Sequence, residues 1–323
     1  MNQIIGKRIS SDVILGVGDD AAAIKTNPEC TQLVSSDSQV EGTHFNLDWI
    51  EPVSLGKRAI SVSFSDIAAM GGTAKYSVVS LVLPNNLTLE FFQKLFSGIR
   101  QQTEYFDSQV IGGNISSGSD KLIIDITILG EVKRELLVSR SNAKVGDHIY
   151  VTGMLGNGVA GLELLRYHGL KYPSKYKNIV DSYLNPTARM KVGGNIARSK
   201  YATSMIDLSD GLSSDLGHIC TNSKVGAEIS YDLLPKDRLL NEIHSKSPEE
   251  LKRIILHGGD CYELLFTVNP DVPIDLIKSI SKESGVKLTR IGYVTPKERG
   301  IILIDAKKNR ETLKPLGWNH FSE

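Results

Sequence analysis

The sequence predicts a protein of α/β class with mixed sheets, built as two domains. Its 323 residues exceed the length at which a single hydrophobic core usually stops growing. Strand-like segments rich in β-branched residues alternate with segments of helical periodicity in both halves. A charged connection begins at residue 133, so we expect an N-terminal domain over 1–132 and a C-terminal domain over 133–323.

The first domain is predicted to contain four strands and two helices. Gly71-Gly72 ends the first helix, Thr88 is the expected N-cap of the second, and Pro84 closes a strand. A polar loop, GGNISSGSD, is expected between the last two strands. The strands are predicted at 32–38, 75–84, 110–113 and 121–132, and the helices at 53–70 and 87–106.

The second domain continues the alternation. The segment SMIDLSDGLSSDLGHIC, residues 204–220, is predicted to run from a strand end into an amphipathic helix. Further strands are predicted at 148–153, 261–268 and 288–294, and further helices at 159–169, 187–200 and 275–285.

Composition excludes several classes of protein. Lys+Arg and Asp+Glu are equal at 37 each, so the chain has no overall field that would attract nucleic acid. Cys30, Cys220 and Cys261 are scattered and odd in number, which argues against a disulfide framework or a zinc site and suits a reducing compartment. No apolar run approaches membrane-spanning length. We therefore expect a cytoplasmic protein with neither a nucleic-acid nor a membrane partner.

The familiar phosphate-binding motifs are either absent from the sequence or matched only weakly. No P-loop pattern occurs anywhere in the chain. GNGVAG, residues 156–161, matches the Gly-x-Gly-x-x-Gly of a dinucleotide-binding turn, but the acid at the expected distance, Asp181, does not end a strand. A plain strand-to-helix loop is the favoured interpretation of this segment.

Several aspartates recur beside Gly, Ser or Thr where elements begin or end. Each has an ordinary alternative role: Asp19 could form an Asx turn, Asp66 could be a solvated helix residue, and Asp210 or Ser209 could cap a helix. The set is Asp19-Asp20, Asp37, Asp66, Asp207 and Asp210.

Considered together, these acids favour a metal site. Apolar neighbours would partly desolvate Asp66 and Asp207, and no Lys or Arg lies at helical spacing to neutralise them. Mg²⁺ prefers carboxylate, hydroxyl and phosphate oxygens, and the chain has no His/Cys cluster for zinc. Serines that fit such a site are Ser35, Ser36, Ser65 and Ser209. The residues thus predict a Mg²⁺ cluster that serves phosphate chemistry, and they leave the substrate open.

The motifs, in their order, resemble those of the thiamine-monophosphate kinase family, within the aminoimidazole-ribonucleotide-synthetase-like superfamily. The resemblance runs from about Leu15 to Phe321. VEGTHF, a GGDCYELL-type segment and a terminal GWNHF are the more specific parts. The motifs are GVGDDAA, SSDSQVEGTHF, SFSDIAAMGG, VIGGN, SRSNAKVGDHIYVTG, IDLSDGLSSDLGHI, GGDCYELLFTV and GWNHF.

This resemblance implies a fold, a reaction and a set of site residues. The N-terminal sheet would pair with that of a second subunit in a homodimer, and the C-terminal α/β domain would complete the active-site cleft. The enzyme would convert ATP and thiamine monophosphate into ADP and thiamine diphosphate. Several Mg²⁺ ions would be held by Asp20, Ser35, Ser36, Asp37, Asp66, Asn114, Asp207 and Asp210. The ATP phosphates would lie against Gly113, Asn114, Arg140 and Ser209, and thiamine monophosphate against His44, Asp260 and Trp318.

Three departures from the family pattern affect these assignments. Relatives usually carry an aspartate where Asn114 stands, so this chain loses a negative charge at that metal contact. Asp37 is followed by Ser38 rather than threonine, which is a mild change. Asp260-Cys261 replaces Glu-Asp, and the shorter Asp260 alters the expected substrate contact.

Mechanistic expectations follow from the charge of the reactants. The monophosphate oxygen is already ionised near neutral pH, so we expect direct in-line transfer with neither a phosphoenzyme nor a dedicated general base. His44, Arg140 and Trp318 each retain a structural alternative, as a loop histidine, a linker residue and a C-terminal anchor. Two other functions stay open: aminoimidazole ribonucleotide synthetase chemistry, and a non-catalytic Mg²⁺–nucleotide-binding protein.

Overall fold

The computed structural model describes residues 10–15, 21–118, 120–244 and 247–318. The chain divides into two compact units. Unit 1 comprises Met1–Ile67, Gly72–Glu135 and Leu184–Met190, and unit 2 comprises Ala68–Gly71, Leu136–Tyr183 and Lys191–Glu323. Helices and mixed sheets occur in both units, which confirms the predicted fold class. The division into residues 1–132 and 133–323 stays a prediction.

Unit 1 is built on a four-stranded sheet and two long helices. Its elements are β1 (Val13–Leu15), β2 (Ala23–Ile24), β3 (Cys30–Val40), α1 (Pro52–Ala69), β4 (Thr73–Leu83), α2 (Leu89–Tyr105), β5 (Gln109–Ser117) and β6 (Ile123–Lys133). The sheet order is β3-β6-β4-β5; β4 and β5 are parallel, and the other neighbours are antiparallel. β1 and β2 form a separate antiparallel pair.

The two faces of this sheet differ. Every second residue of β6 is buried, as the alternation of a strand covered on one side requires. α1 packs on the covered face, where a Cβ on Gly130 would lie 2.9 Å from the Ile67 side chain. α1 and α2 touch through glycines, since a Cβ on Gly56 would lie 2.2 Å from the Leu95 carbonyl oxygen. The other face is open along β3, where Val34 is 68% exposed.

Unit 2 contains a seven-stranded mixed sheet and most of the helices of the described chain. Its strands are β7 (His148–Thr152), β8 (Ala202–Asp207), β9 (Gly226–Ser230), β10 (Leu264–Val268), β11 (Leu288–Thr295), β12 (Ile301–Ile304) and β13 (Arg310–Thr312). Its helices are α3 (Asn157–His168), α4 (Lys177–Leu184), α5 (Met190–Arg198), α6 (Leu212–Ser223), α7 (Arg238–Ile243), α8 (Pro248–His257) and α9 (Ile274–Ser284). The sheet order is β13-β12-β9-β11-β7-β10-β8.

One face of the unit 2 sheet forms a hydrophobic core with α6 and α8. Ile206 at the end of β8 belongs to it, together with Leu216 of α6 and Ile255 of α8. β8 lies at the sheet edge, and α6 begins a few residues beyond its end. The loop between them is therefore fixed at both ends by buried elements.

The structure corrects two predicted boundaries. β5 continues to Ser117, so Asn114 lies in a strand rather than in the predicted polar loop, and Gly113 lies inside the strand rather than at its end. Among the described residues this edge strand pairs only with β4. It is exposed from Gly113 onward, so it lacks the apolar alternation that reveals a strand. The strand predicted from Cys261 starts at Leu264 instead, because Asp260 and Tyr262 have positive φ angles of 56° and 51°.

No helix in the parts of the chain that the structure describes combines the length and apolar character needed to cross a bilayer.

Candidate functional site

Unit 1 brings four of the polar residues of β3 and α1 together, and we call this group the β3–α1 cluster: Ser35, Asp37, Ser63 and Asp66. The Ser35 hydroxyl donates a hydrogen bond to an Asp66 carboxylate oxygen. Residues 35 and 37 point to the same side of β3 because strand side chains alternate. The predicted neighbourhood of Ser35, Asp37 and Asp66 is thus present.

The electrostatics of this cluster are unusual. The pKa of Asp37 is raised to about 6, first by burial and then by the negative charges of Asp66 and Asp125, while a hydrogen bond from the Ser63 hydroxyl opposes the rise. A carboxylate whose pKa is raised in this way gains from a nearby cation. All donors of the cluster are carboxylate or hydroxyl oxygens, which is the set that Mg²⁺ prefers. The residues present therefore fit the predicted metal.

Ser36 lies apart from this cluster, on the open face of the sheet. Its hydroxyl donates to Asp125 Oδ1 at 3.3 Å and lies 3.1 Å from the Thr127 hydroxyl. Ser38 donates to Asp125 Oδ2 at 2.5 Å. The structure thus separates the Ser36 side chain from Asp37 and Asp66. Its role as a metal ligand stays a prediction.

Asn114 belongs to the same open face through the register of the sheet. Asn114 pairs with Ser80, Ser80 with Asp125, and Asp125 with Ser38. Directly paired residues present their side chains to one face, so these four form a polar row across the sheet. Gly113, the neighbour of Asn114, is exposed on the same edge strand.

Asp125 is a residue that the sequence analysis missed. It sits inside IIDITILGEV, a nearly continuous apolar run. An acid at an outward position of an otherwise apolar strand was the available signal, since such a residue must face solvent or a partner.

His44 follows β3 in a tight turn. The Val40 N–H donates to His44 Nδ1 at 3.0 Å, so Nδ1 carries no proton and the neutral ring keeps its proton on Nε2. The His44 N–H also bonds back to the Val40 carbonyl oxygen at 2.9 Å. The first bond leaves Nε2 as the donor of the neutral ring, and the second holds the turn. Asp20, the remaining predicted ligand of the first domain, lies outside the described residues.

In unit 2 the loop between β8 and α6 pairs with the segment before β10. Leu208 donates its N–H to the Glu263 carbonyl oxygen and accepts from the Tyr262 N–H, each at 2.8 Å. The Asp260 N–H donates to the Ser209 carbonyl oxygen at 2.9 Å. Two residues predicted to contact different ligands, Ser209 and Asp260, are therefore direct neighbours.

A side-chain bond orients the Asp260 carboxylate. The Tyr262 hydroxyl donates to Asp260 Oδ1 at 2.8 Å. The positive φ angles at both residues allow this close return of the chain. Asp260 thus replaces the expected glutamate with a shorter but buttressed carboxylate.

Trp318 reaches the same place from the C-terminal segment. Its N–H donates to the Asp210 carbonyl oxygen at 3.0 Å, and the residue is 53% exposed. Asp207 ends β8 on the other side of this loop and is 4% exposed. Four predicted residues of unit 2 therefore cluster around one loop: Ser209, Asp210, Asp260 and Trp318.

Asp215 and His218 join Asp210 in a group that sequence reasoning missed. One ligand atom of each lies within 4.8 Å of the others. The pKa of Asp215 is raised to about 8, mainly by burial and also by the charges of Asp207 and Asp210. The Gly211 N–H donates to Asp215 Oδ2 at 3.0 Å, so this acid of the first turn of α6 also satisfies the amide of the N-cap residue. Its helical spacing to His218 was the available signal.

Arg140 lies at the other end of α6. The Ser139 carbonyl oxygen accepts a hydrogen bond from the Met205 N–H at 3.0 Å. The Arg140 carbonyl oxygen accepts one from Ser223 Oγ at 3.4 Å. Ser223 is the last residue of α6, whereas Ser209 and Asp210 precede its first turn. The phosphate contact assigned to Arg140 stays a prediction.

Comparison with known proteins places this geometry in a family. A family model described as AIR synthase related protein, N-terminal domain, matches residues 18–132, and one described as its C-terminal domain matches residues 144–305. The thiamine-monophosphate kinase of Buchnera aphidicola subsp. Acyrthosiphon pisum (strain APS) is 39% identical over 311 residues, which cover 95% of this chain and 93% of that protein.

Solved structures agree. The thiamine-monophosphate kinase from Stenotrophomonas maltophilia K279a superposes with a TM-score of 0.82 at 30% identity, covering 91% of each chain. A structure described as AaThiL complexed with AMPPCP and TMP gives a TM-score of 0.80 at 33% identity, covering 94% of this chain and 92% of that one. The resemblance drawn from the motifs is confirmed: the chain belongs to the thiamine-monophosphate kinase family of AIR synthase related proteins.

Proposed function

We propose that this chain transfers the γ-phosphoryl group of ATP to thiamine monophosphate and so forms thiamine diphosphate. The observation that carries this proposal is the meeting of Ser209, Asp260 and Trp318 around one loop of unit 2. A relative 33% identical, described as AaThiL, was solved in complex with TMP and with AMPPCP, which is an ATP analogue.

The β3–α1 cluster would bind Mg²⁺ of the ATP complex. Asp37 and Asp66 supply the carboxylates, and Ser35 holds the Asp66 carboxylate in place through its hydroxyl. When bound, Mg²⁺ would neutralise phosphate charge and so reduce the repulsion between the two anionic reactants. In unit 2, Asp207 and Asp210 would provide further oxygen ligands beside Ser209. This proposal includes several Mg²⁺ ions.

The acceptor would be held by groups of opposite character. Trp318 offers an aromatic face, which attracts the cationic thiazolium ring. Asp260 is oriented by the Tyr262 hydroxyl and would accept a hydrogen bond from the pyrimidine amine. His44 would donate from Nε2 to a phosphate oxygen, since Nδ1 already accepts from Val40.

Chemistry would proceed by direct in-line transfer. The phosphate oxygen of the acceptor is ionised near neutral pH, so no side chain has to remove a proton. The protein contributes alignment and a set of fixed donors and acceptors. Direct transfer inverts the configuration at the transferred phosphorus. The configuration can be measured with ATP whose γ-phosphate carries oxygen isotopes. Retention of configuration would instead indicate a double displacement.

The open face of the unit 1 sheet supports a homodimer. This face carries the exposed Val34 and the polar row that includes Asp125 and Asn114. β1 and β2 pack on one part of this face, at Val78 and Leu129. The exposed remainder can be buried against an equivalent sheet of a second copy. Sedimentation or light scattering would measure the mass. We place the protein in the cytoplasm, where the free thiols of its cysteines persist.

A coupled assay for ADP tests the function. ADP release is expected with thiamine monophosphate as acceptor, and neither with thiamine nor without an acceptor. Release that requires formylglycinamidine ribonucleotide would instead indicate synthetase chemistry. A non-catalytic nucleotide-binding protein would release no ADP, and thiamine monophosphate would not raise its Tm beyond the effect of Mg²⁺ and ATP.

A further inference from the structure

Three consecutive amides attach the C-terminal segment to the first turn of α6 and to Asp210, just before that helix. The Leu316 N–H donates to Ser213 Oγ at 3.3 Å, the Gly317 N–H to Ser214 Oγ at 3.0 Å, and the Trp318 N–H to the Asp210 carbonyl oxygen at 3.0 Å. We call this set the 316–318 clamp. Its partners lie beside Ser209, whose carbonyl oxygen accepts from the N–H of Asp260, a residue assigned to thiamine monophosphate.

We propose that Ser213 and Ser214 are positioning residues for thiamine monophosphate, because they hold Trp318 in register beside Asp210. This proposal rests on the function proposed above. Neither serine needs to touch the substrate. Their effect passes through the main chain of residues 316–318 to the aromatic ring.

Burial and two hydrogen bonds fix the position of the Ser213 oxygen. The residue is 0% exposed, and Oγ lies 2.7 Å from His257 Nδ1. Oγ also accepts from the Leu316 N–H, so helix α8 holds it on one side and the C-terminal segment bonds to it on the other. Burial lowers the pKa of His257, and the charges of Arg253 and Lys252 lower it further, which favours the neutral ring at this contact.

Glycine at 317 is required by the closeness of the contact. A Cβ at this position would lie 2.2 Å from the Asp210 carbonyl oxygen and 2.6 Å from Ser214 Oγ. Neither distance is possible without a shift, and the first neighbour is backbone that cannot rotate away. The segment therefore approaches α6 as closely as a main chain without a side chain allows.

The sheet ends before the clamp begins. The Leu313 N–H makes a bond to the Ile301 carbonyl oxygen at 2.8 Å, and β13 ends at Thr312. From there to Trp318 the chain has no regular secondary structure. The clamp thus fixes the main chain that carries the Trp318 ring, because a segment without these three bonds would sample more positions.

A single-tryptophan protein can test this directly. The chain contains two tryptophans, Trp49 and Trp318, so Trp49→Phe leaves Trp318 as the only reporter. Acrylamide quenching of the ligand-free protein reports how mobile and exposed the ring is. In the same background, KM for thiamine monophosphate, KM for ATP and kcat are measured.

The informative variants are Ser214→Ala, Ser214→Thr and Gly317→Ala. Loss of one such hydrogen bond corresponds to roughly a fivefold change in an equilibrium, so Ser214→Ala should raise KM for thiamine monophosphate about fivefold, with KM for ATP unchanged. Quenching of Trp318 should increase in parallel. Ser214→Thr keeps the hydroxyl and should restore both values. Gly317→Ala should exceed Ser214→Ala in both effects.

Thr221→Ala is the matched control, since Thr221 is an exposed residue of the same helix. The proposal is overturned if Ser214→Ala and Gly317→Ala match this control in quenching and in KM. It is equally overturned if quenching increases while KM for thiamine monophosphate stays constant, or if KM for both substrates rises together. A wild-type protein that does not use thiamine monophosphate would refute the proposed function, yet the quenching comparison would still report whether the clamp holds Trp318.

Discussion

The acidic groups of the two units are positioned in different ways. In unit 1, Asp37 and Asp66 lie on β3 and α1, whose regular geometry sets the direction of each side chain. In unit 2, Asp210 and Asp260 lie on loops that meet through main-chain hydrogen bonds between segments far apart in the sequence. One group is a product of periodicity and the other of tertiary contact.

This difference determines which substitutions each acidic group tolerates. A side chain on a strand or helix keeps its direction as long as the element packs, so the β3–α1 cluster depends on the core beneath it. The unit 2 loop depends on three separate segments, on glycine at 317 and on positive φ angles at Asp260 and Tyr262. Substitutions at residues distant in sequence from a site residue should therefore displace the acidic groups of unit 2 more readily than those of unit 1.

The largest effect is expected from Asp66→Asn. This change removes a carboxylate that Ser35 holds toward Asp37, and with it a ligand charge for Mg²⁺. Loss of several kcal/mol of metal-dependent stabilisation would lower kcat roughly a thousandfold at saturating Mg²⁺. Glu104→Gln, an exposed change on α2, is the control. Near wild-type kcat in Asp66→Asn would refute the metal role of the cluster.

A pH dependence of stability should separate the two groups. The pKa of Asp37 is raised to about 6 and that of Asp215 to about 8, both above the value of 3.8 for an unperturbed aspartate. The folded state therefore binds these protons more tightly than the unfolded state. Without metal, the free energy of unfolding should fall as pH rises, from about 4 to 6 for Asp37 and from about 4 to 8 for Asp215.

The size of this effect is a few kcal/mol, up to about 3 kcal/mol for Asp37. Denaturant unfolding in EDTA between pH 4 and 8 measures it. Asp37→Asn should remove only the contribution of Asp37, between about pH 4 and 6, and Asp215→Asn the contribution that extends from about pH 4 to 8. Added Mg²⁺ should stabilise the protein more at pH 8 than at pH 5. A profile that rises with pH in EDTA would contradict both assignments.

Sequence reasoning recovered the first group better than the second. The strand over 32–38 and the helix over 53–70 were predicted nearly as they occur in β3 and α1, and the helix was recognised by its periodicity. Alternation along β3 also explains why Ser36 departs from Ser35 and Asp37. What the residues alone left undetermined was the register that brings Asp125 and Asn114 into one row.

The unit 2 loop shows where such reasoning stops. The family resemblance supplied Asp260 and Trp318 as site residues, but no periodicity or spacing indicates that either lies beside Ser209 or Asp210. Their proximity depends on hydrogen bonds between loops, and main-chain donors and acceptors are identical at every residue. The strand predicted from Cys261 failed for the same reason, since positive φ at Tyr262 is imposed by that pairing.

Tyr262→Phe offers a smaller, more selective test of the unit 2 loop. The change removes the hydroxyl that donates to Asp260 Oδ1 and leaves the buried ring in place. A hydrogen bond of this kind contributes about 1 kcal/mol, so its loss should raise KM for thiamine monophosphate roughly fivefold, with little effect on KM for ATP. Tyr293→Phe, on β11 of the same unit, is the matched control. An equal rise in both KM values would show that the bond supports the fold rather than the acceptor.

The smallest effect is expected from Asp125→Asn, which examines unit 1 across its sheet. Asp125 faces the open side, yet its charge contributes to the raised pKa of Asp37 on the covered side, after burial and Asp66. Removing that charge should lower the pKa of Asp37 by less than Asp66→Asn does, as the ¹³C NMR titration of the Asp37 carboxyl would measure. Ser38→Ala, which removes a hydrogen bond to Asp125 but no charge, should leave the midpoint unchanged. If Asp125→Asn lowered the pKa of Asp37 as much as Asp66→Asn does, the two faces of the sheet would form one electrostatic site. The β3–α1 cluster would then have to include the polar row.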